Sequence, residues 1–405
     1  MKIRCNEIVT PAGVIDGLVI VEDGKITQIV PAAELKGEAW DEDWRGYKLL
    51  PGLIDIHTHG YYGYSALSTK PEDFHALSKQ MAAVGVTSYL VTAGDHNETE
   101  MENLAAIAQA IGEQKQGLNG EARMLGIHME GPFLNPNRRG AFQPEELLEP
   151  SVEKMRAYIE ASQGQIQTMT MAPELDPQGE LIRFCRSQNV LLSGGHTVAT
   201  FAEYNRAIEQ GLACSTHTGN AMRQMDRREP GAYGAALLSD QIFSEVICDL
   251  FHISQPMLEI MFRIKPMSRF IMISDSGPMS GLPAGVYTIR GHKRTISEAN
   301  PFDQRREIQF IGSVAPAAVV VGLDPAEYDL ANLIPLHGGA IEPVDQFLLQ
   351  RCEKALHARV VKAAMRAAHA LPDGTKLRNR RPVFLAGVLA AVVGVQYQTL
   401  LITIA

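Results

Sequence analysis

Eight short apolar runs recur between residues 51 and 276: LPGLIDIH, GVTSYLVTA, RMLGIHMEG, TMTMAPE, VLLSGGHT, ACSTHTGNA, VICDLFH and RFIMISDSG. Most are separated by helix-like stretches, among them EDFHALSKQMAAVG, ELIRFCRSQ, TFAEYNRAIEQG and QPMLEIMFRI. Strands that alternate with helices imply a parallel sheet. Eight strands is the number that closes a (β/α)8 barrel. The competing architecture is a doubly wound open sheet, but its glycine-rich strand–turn–helix phosphate fingerprint is absent from the sequence. Ahead of these runs, residues 1–50 read as short strands with turns, and GLVIVEDGKITQIV alternates around an Asp-Gly pair that signals a hairpin.

The polar residues are not scattered among the runs. His57, His59, Glu130, His196, His217, His252 and Asp275 each stand at or just past the C-terminal end of an apolar run. In a barrel those ends converge on one face, where active sites are built. His57 and His59 are two apart, so a strand sends both imidazoles to the same side and lets them grip one ion. His128 in GIHMEG reads instead as a packed histidine behind the site. Histidines with carboxylates, and no cysteine among the ligands, suit Zn²⁺, Fe²⁺, Co²⁺ or Mn²⁺. A hydrolytic metal site needs a group that takes a proton from water and returns one to the leaving group. Asp275, at the end of the last run, is the candidate.

Charge and cysteine usage narrow the class. The net charge of −9 argues against a nucleic-acid surface. Five scattered cysteines without CxxC spacing read as free thiols in a reducing compartment. The N-terminus MKIRCNEIV lacks the apolar core of a signal peptide, so the expected location is cytoplasmic.

PGLIDIHTHG after a small β-segment resembles the amidohydrolase superfamily. GIHMEGPFLNPNRRGA, SGGHTVATFAEYNRAIEQG, STHTGNAM…RREPG and ISDSGPMSG narrow the resemblance to the N-acetylglucosamine-6-phosphate deacetylases, over about residues 1–313. It implies a small β-sandwich formed by the termini, with residues 1–50 as its N-terminal part, a barrel over 51–313, and a homodimer. The implied reaction removes the N-acetyl group from an amino-sugar 6-phosphate. By the same resemblance Glu130, His196 and His217 hold the principal metal. His57 and His59 match an HxH pair that lets some members bind a second ion, so one or two divalent ions per chain are expected, zinc first. Asp275 matches the catalytic aspartate. Substrate-binding positions fall on Ala141, Phe142, Asn220, Ala221, His252, Ile311, Gly312 and Ser313. Arg228 matches a phosphate ligand contributed across the dimer, where a guanidinium can make paired charge-assisted hydrogen bonds.

Two departures stand out. Many members carry a histidine that helps polarise the acetyl carbonyl where RRGAFQPEE places Phe142, with Gln143 beside it. A phenyl ring cannot do this, so a second metal or Gln143 would take over, or the substrate would differ. Residues 314–405 also lack the pattern of returning sandwich strands. Residues 351–405 hold nine Lys/Arg against two Asp/Glu, while the rest of the chain is acidic, and Pro382–Ala405 carries no charge. That stretch meets the length criterion for a membrane span, with the basic KLRNRRP before it. Its expected nature is nonetheless an atypical or frame-disturbed tail, with no membrane partner. Two rival functions are another amidohydrolase acting on a different amide and a non-catalytic binder of sugar phosphate. No lysine lies at a strand end to bridge two metals, which counts against the first. The presence of Asp275 counts against the second.

Overall fold

The computed structural model describes residues 1–10, 13–22, 24–94, 97–289 and 292–296, with two further two-residue strands at Val320–Val321 and Leu401–Ile402. Apart from those four residues, the expectations for Ile311, Gly312, Ser313 and the segment 314–405 lie outside the described residues.

The chain opens with three antiparallel strands, β1 (Lys2–Thr10), β2 (Gly13–Glu22) and β3 (Lys25–Pro31). Two short strands, β4 (Glu42–Asp43) and β5 (Lys48–Leu49), pair in parallel with β1. In the β2–β3 hairpin Glu22 pairs with Lys25 and Gly24 takes φ 76°, a region glycine enters at little cost. Ile3, Cys5, Ile8, Val19, Val21 and Leu49 bury the apolar residues of this sheet.

The barrel begins with β6 (Leu53–Thr58), followed by a small hairpin of β7 (Gly60–Tyr61) and β8 (Tyr64–Ser65). Helix and strand then alternate: α1 (Pro71–Ala83), β9 (Val86–Ala93), α2 (Glu100–Gln114), β10 (Arg123–Glu130), α3 (Val152–Ala161) and β11 (Ile166–Met171). The alternation continues through α4 (Glu180–Ser187), β12 (Leu191–Gly194), α5 (Phe201–Gln210), β13 (Cys214–Ser215), α6 (Gly231–Leu238), β14 (Phe243–Ile247), α7 (Gln255–Ile264) and β15 (Phe270–Ile273). An antiparallel pair, β16 (Gly285–Ile289) and β17 (His292–Ile296), follows. Two of the helices start at residues whose side chains satisfy free backbone N–H groups. Thr200 and Glu203 form a reciprocal capping box at α5, and Ser151 accepts from the Lys154 N–H at 3.1 Å to start α3. Such a cap contributes about 1 kcal/mol.

The eight strands β6 and β9–β15 lie side by side in chain order, each parallel to the next. The two ends of the sheet meet. Thr58 bridges Ser276, the Asp275 N–H donates to the His57 carbonyl at 3.0 Å, and the His59 N–H donates to the Ser276 carbonyl at 2.7 Å. Buried Asp55 clasps the same seam, accepting from the backbone N–H of Ser274 at 3.3 Å and of His57 at 3.2 Å. This closure makes the sheet a barrel and sets aside the open doubly wound alternative. Among the described residues no helix is long and apolar enough to cross a membrane.

Two packing regions follow from strand alternation. Outward residues such as Tyr89, Val91, Met129 and Met169 pack with helix residues Phe74, Leu77, Leu104 and Ile107 in one large core. A second cluster, Ile54, Ile56, Leu90, Ile247 and Ile273, contains no helix residue and fills the barrel between β14, β15, β6 and β9. Around β10–β13 the interior is polar instead. His128 Nε2, Thr170 Oγ1, Thr216 Oγ1 and Ser193 Oγ form a chain with successive separations of 2.7, 2.7 and 2.6 Å.

His75 ties the outer layer together, with Nε2 2.9 Å from Glu113 of α2 and Nδ1 2.9 Å from Glu121. Burial opposes its charge, but the two carboxylates outweigh burial and raise its pKa above the ordinary 6.5. A histidine pKa raised by folding contributes stability fully below the unfolded value, and that contribution is lost as pH rises through the folded value. His75→Gln should therefore cost about 1 kcal/mol near pH 6 and less near pH 9. Denaturant melts check this, and an equal loss at both pH values would contradict it.

Candidate active site

The C-terminal ends of the barrel strands supply the polar groups. His57 is the penultimate residue of β6, and Glu130 ends β10. His196, His217 and Asp275 each stand two residues past a strand end, after β12, β13 and β15. All three take positive φ, at 48°, 28° and 48°. A non-glycine residue in that region costs on the order of 1–3 kcal/mol and persists only where its surroundings impose it. The surroundings at His196 are explicit. The Glu174 carboxylate accepts from the Val198 N–H at 2.8 Å and from Asn135 Nδ2 at 3.0 Å, and it also takes the Thr197 hydroxyl. The Thr197 N–H donates to the Ala221 carbonyl at 3.1 Å, which pins this loop to the next one.

Close approach explains the small residues beside the site. A Cβ on Gly194 would sit 2.5 Å from the Tyr204 hydroxyl, and one on Gly195 would sit 2.8–2.9 Å from Thr216 and Thr170. The GG ahead of His196 therefore lets β12 enter a crowded interior.

The donors converge. Glu130 Oε1 lies 3.0 Å from His196 Nε2 and 2.9 Å from His217 Nε2, and those two nitrogens are 3.0 Å apart. Glu130 Oε2 lies 2.9 Å from His59 Nε2. His57 Nε2 is 3.3 Å from His59 Nε2, and Asp275 Oδ1 is 3.4 Å from both. Two sets of three donors thus adjoin: Glu130, His196 and His217, then His57, His59 and Asp275. Second contacts fix which ring nitrogen faces inward. His196 Nδ1 is 2.8 Å from the Arg138 carbonyl, so Nδ1 carries the hydrogen and Nε2 presents its lone pair. His57 Nδ1 is 3.1 Å from Glu245 Oε2, with the same consequence. Lone pairs turned on one another at 3.0 Å repel unless a cation lies between them. Tetrahedral zinc with bonds near 2.1 Å asks for donors roughly 3.4 Å apart; the second set meets this at 3.3–3.4 Å, and the first, at 2.9–3.0 Å, would open slightly to admit an ion. The donor set fits a divalent ion.

Without an ion between them, the carboxylates draw protons onto the His57 and His59 rings instead. Burial opposes a charged His59 ring, but Asp275 and Glu130 outweigh it and set its pKa at about 9. Burial would raise Asp275, but the charge of His57 and the hydrogen bond from His59 outweigh it and hold Asp275 ionised well below the carboxylate range. His128 is different. Burial and the nearby charge of His57 lower it to about 4, and its nitrogens are engaged by the Ile56 carbonyl and the Thr170 hydroxyl. It is a neutral packing group.

The remaining candidates surround this centre. The Phe142 ring, 7% exposed, stands edge-on to His196 with centroids 5.5 Å apart, next to exposed Ala141. The Gln143 amide lies 3.5 Å from the Ala141 carbonyl, a contact within its own turn. His252 Nδ1 is 2.6 Å from Asp249 Oδ2. Asn220 and Ala221 lie in the half-buried turn after His217, where Ala221 takes φ 47°. Arg228 is exposed, and its backbone N–H donates to Asp226 at 3.0 Å.

A parallel barrel carrying a histidine–carboxylate donor set and an ionised aspartate at its C-terminal mouth defines a metal-dependent hydrolase. The amidohydrolase family model matches residues 49–254. N-acetylglucosamine-6-phosphate deacetylase of Bacillus subtilis (strain 168) is 36% identical over 303 residues, covering 73% of this chain and 75% of that protein. N-acetylgalactosamine-6-phosphate deacetylase of Escherichia coli O157:H7 is 27% identical over 352 residues, covering 85% and 90%. The crystal structure of N-acetylglucosamine-6-phosphate deacetylase from Thermotoga maritima superposes with a TM-score of 0.61 at 26% identity, over 74% of this chain and 77% of that one. The chain belongs to the amidohydrolase family and, within it, to the N-acetylglucosamine-6-phosphate deacetylases.

Glu130 touches both donor sets, but His57 and His59 stand outside the group of Glu130, His196 and His217, so removing them should empty one set only. The double variant His57→Asn/His59→Asn should lose about one ion per chain and retain the other, as counted by elemental analysis. Loss of all metal would overturn the division into two sets.

Proposed function

We propose that this chain hydrolyses N-acetyl-D-glucosamine 6-phosphate to D-glucosamine 6-phosphate and acetate, with one or two divalent ions, zinc first. The observation that carries this reading is the contact of Glu130 with His196, His217 and His59 beside Asp275, in a chain 36% identical to a deacetylase of this substrate. Glu130, His196 and His217 would hold the principal ion, and His57 with His59 the second. A bound divalent ion supplies an acidified water and a charge that polarises the acetyl carbonyl.

The protein's own part is proton movement and placement. Asp275, a carboxylate 3.4 Å from both His57 and His59, would accept a proton from the attacking water as the new C–O bond forms. It returns that proton to the amide nitrogen as the C–N bond breaks, so the amine leaves neutral. Phe142 offers no hydrogen bond to the acetyl group, and its edge-on ring keeps water from that side of His196. Asp249 takes the Nδ1 hydrogen of His252, leaving Nε2 for the sugar. Asn220 and Ala221, in the turn after His217, would contact the sugar. Arg228, exposed on its loop, would reach the 6-phosphate of a neighbouring subunit's substrate in a homodimer. The free thiols Cys5, Cys185, Cys214 and Cys248 suit a reducing, cytoplasmic setting.

Acetate release from N-acetylglucosamine 6-phosphate tests the reading, with the galactosamine epimer assayed beside it because the Escherichia coli relative bears that name. Asp275→Asn should keep its metal and lose about 100-fold or more in kcat. A near-wild-type rate would remove Asp275 from the chemistry, and no acetate from either sugar by metal-loaded protein would overturn the substrate.

A further inference from the structure

Glu245 is a carboxylate in an unexpected place. It is fully buried in the middle of β14, and its ion-pair partner among the described residues is His57. A buried carboxylate is costly unless paired and hydrogen-bonded, so its contacts show what it is for. Oε2 faces His57 Nδ1 at 3.1 Å and also accepts the backbone N–H of His217 at 3.3 Å. Oε1 has the Cys214 thiol at 4.0 Å. One oxygen therefore touches a residue of each donor set, from the side opposite the converging Nε2 atoms.

We infer that Glu245 is a positioning residue for the second ion, because it accepts the His57 Nδ1–H that leaves Nε2 free and braces His217 through the same oxygen. This role rests on the reading of His57 and His59 as holders of that ion. Without an acceptor, the His57 ring can place its hydrogen on Nε2, which abolishes it as a ligand, and can rotate about its side-chain bonds. Outer carboxylates of this kind typically set metal affinity by 10–100-fold. The backbone contact to His217 holds the strained turn after β13, so the principal site is braced by it and not ligated through it.

The test counts and weighs ions and does not depend on turnover. Metal-free wild-type protein, Glu245→Gln and Glu245→Leu are titrated with zinc against a competing chelator dye. Wild type should take two ions. Glu245→Leu should lose about 10–100-fold at the weaker site and change within about 3-fold at the tighter one, with Glu245→Gln between wild type and Leu because its amide oxygen can still accept. Unchanged weaker-site affinity in Glu245→Leu, or equal loss at both sites, would overturn the role. If Glu245→Leu does not fold, long-range ¹H–¹⁵N spectra of zinc-loaded, histidine-labelled wild type decide the matter. A hydrogen on His57 Nδ1 supports the role, and zinc on Nδ1 overturns it. A wild type that binds one ion only would overturn the two-ion reading and this role together.

Discussion

The Glu130 carboxylate holds the chemistry of this protein in one place. Its two oxygens connect the donor sets, with Oε1 toward His196 and His217 and 3.5 Å from His57, and Oε2 toward His59. Burial disfavours its charge, and the histidines around it outweigh burial and keep it ionised. Neither half of the arrangement stands without the other: the carboxylate needs positive charge nearby, and the imidazole lone pairs need a cation to face. The barrel has to deliver all of these groups to within bonding distance while keeping bulk water out.

It does so through its strand ends and its seam. The seam between β15 and β6 is also the base of the second donor set, because the backbone hydrogen bonds that close the barrel run through His57, His59 and Asp275 themselves. A Cβ on Gly94, after β9, would lie 2.3 Å from the Glu130 carbonyl oxygen, so the backbone beside Glu130 is packed without slack. Positive φ at His196, His217 and Asp275 turns each side chain over the mouth within two residues of a strand. The cost of those turns is met by second contacts such as Glu174 at the His196 loop.

Much of this could be read from the chain beforehand, because strand alternation and strand ends are local. The eight apolar runs became eight adjacent strands, and the HxH pair did turn both rings toward one point. The supports were harder to see. Glu245 lies in FSEVICD, where a charge inside an apolar run is a signal that was available and not used. Glu174 follows MAP and gave no such signal, since its targets, the Val198 N–H, the Thr197 hydroxyl and Asn135 Nδ2, lie on loops far away in sequence. The Arg138 carbonyl that orients His196 cannot be read from any side chain. The packing of Phe142 against His196 likewise depends on how two loops meet, which residue type alone does not determine.

The buried donor set around Glu130 has the groups to hold a divalent ion. Anomalous diffraction from crystals of the purified protein, collected on either side of the absorption edge of the metal it carries, tests this most directly. A peak bounded by Glu130 Oε1, His196 Nε2 and His217 Nε2 is expected. Metal-loaded crystals with no peak at that point, or with the ion bound elsewhere, would contradict it.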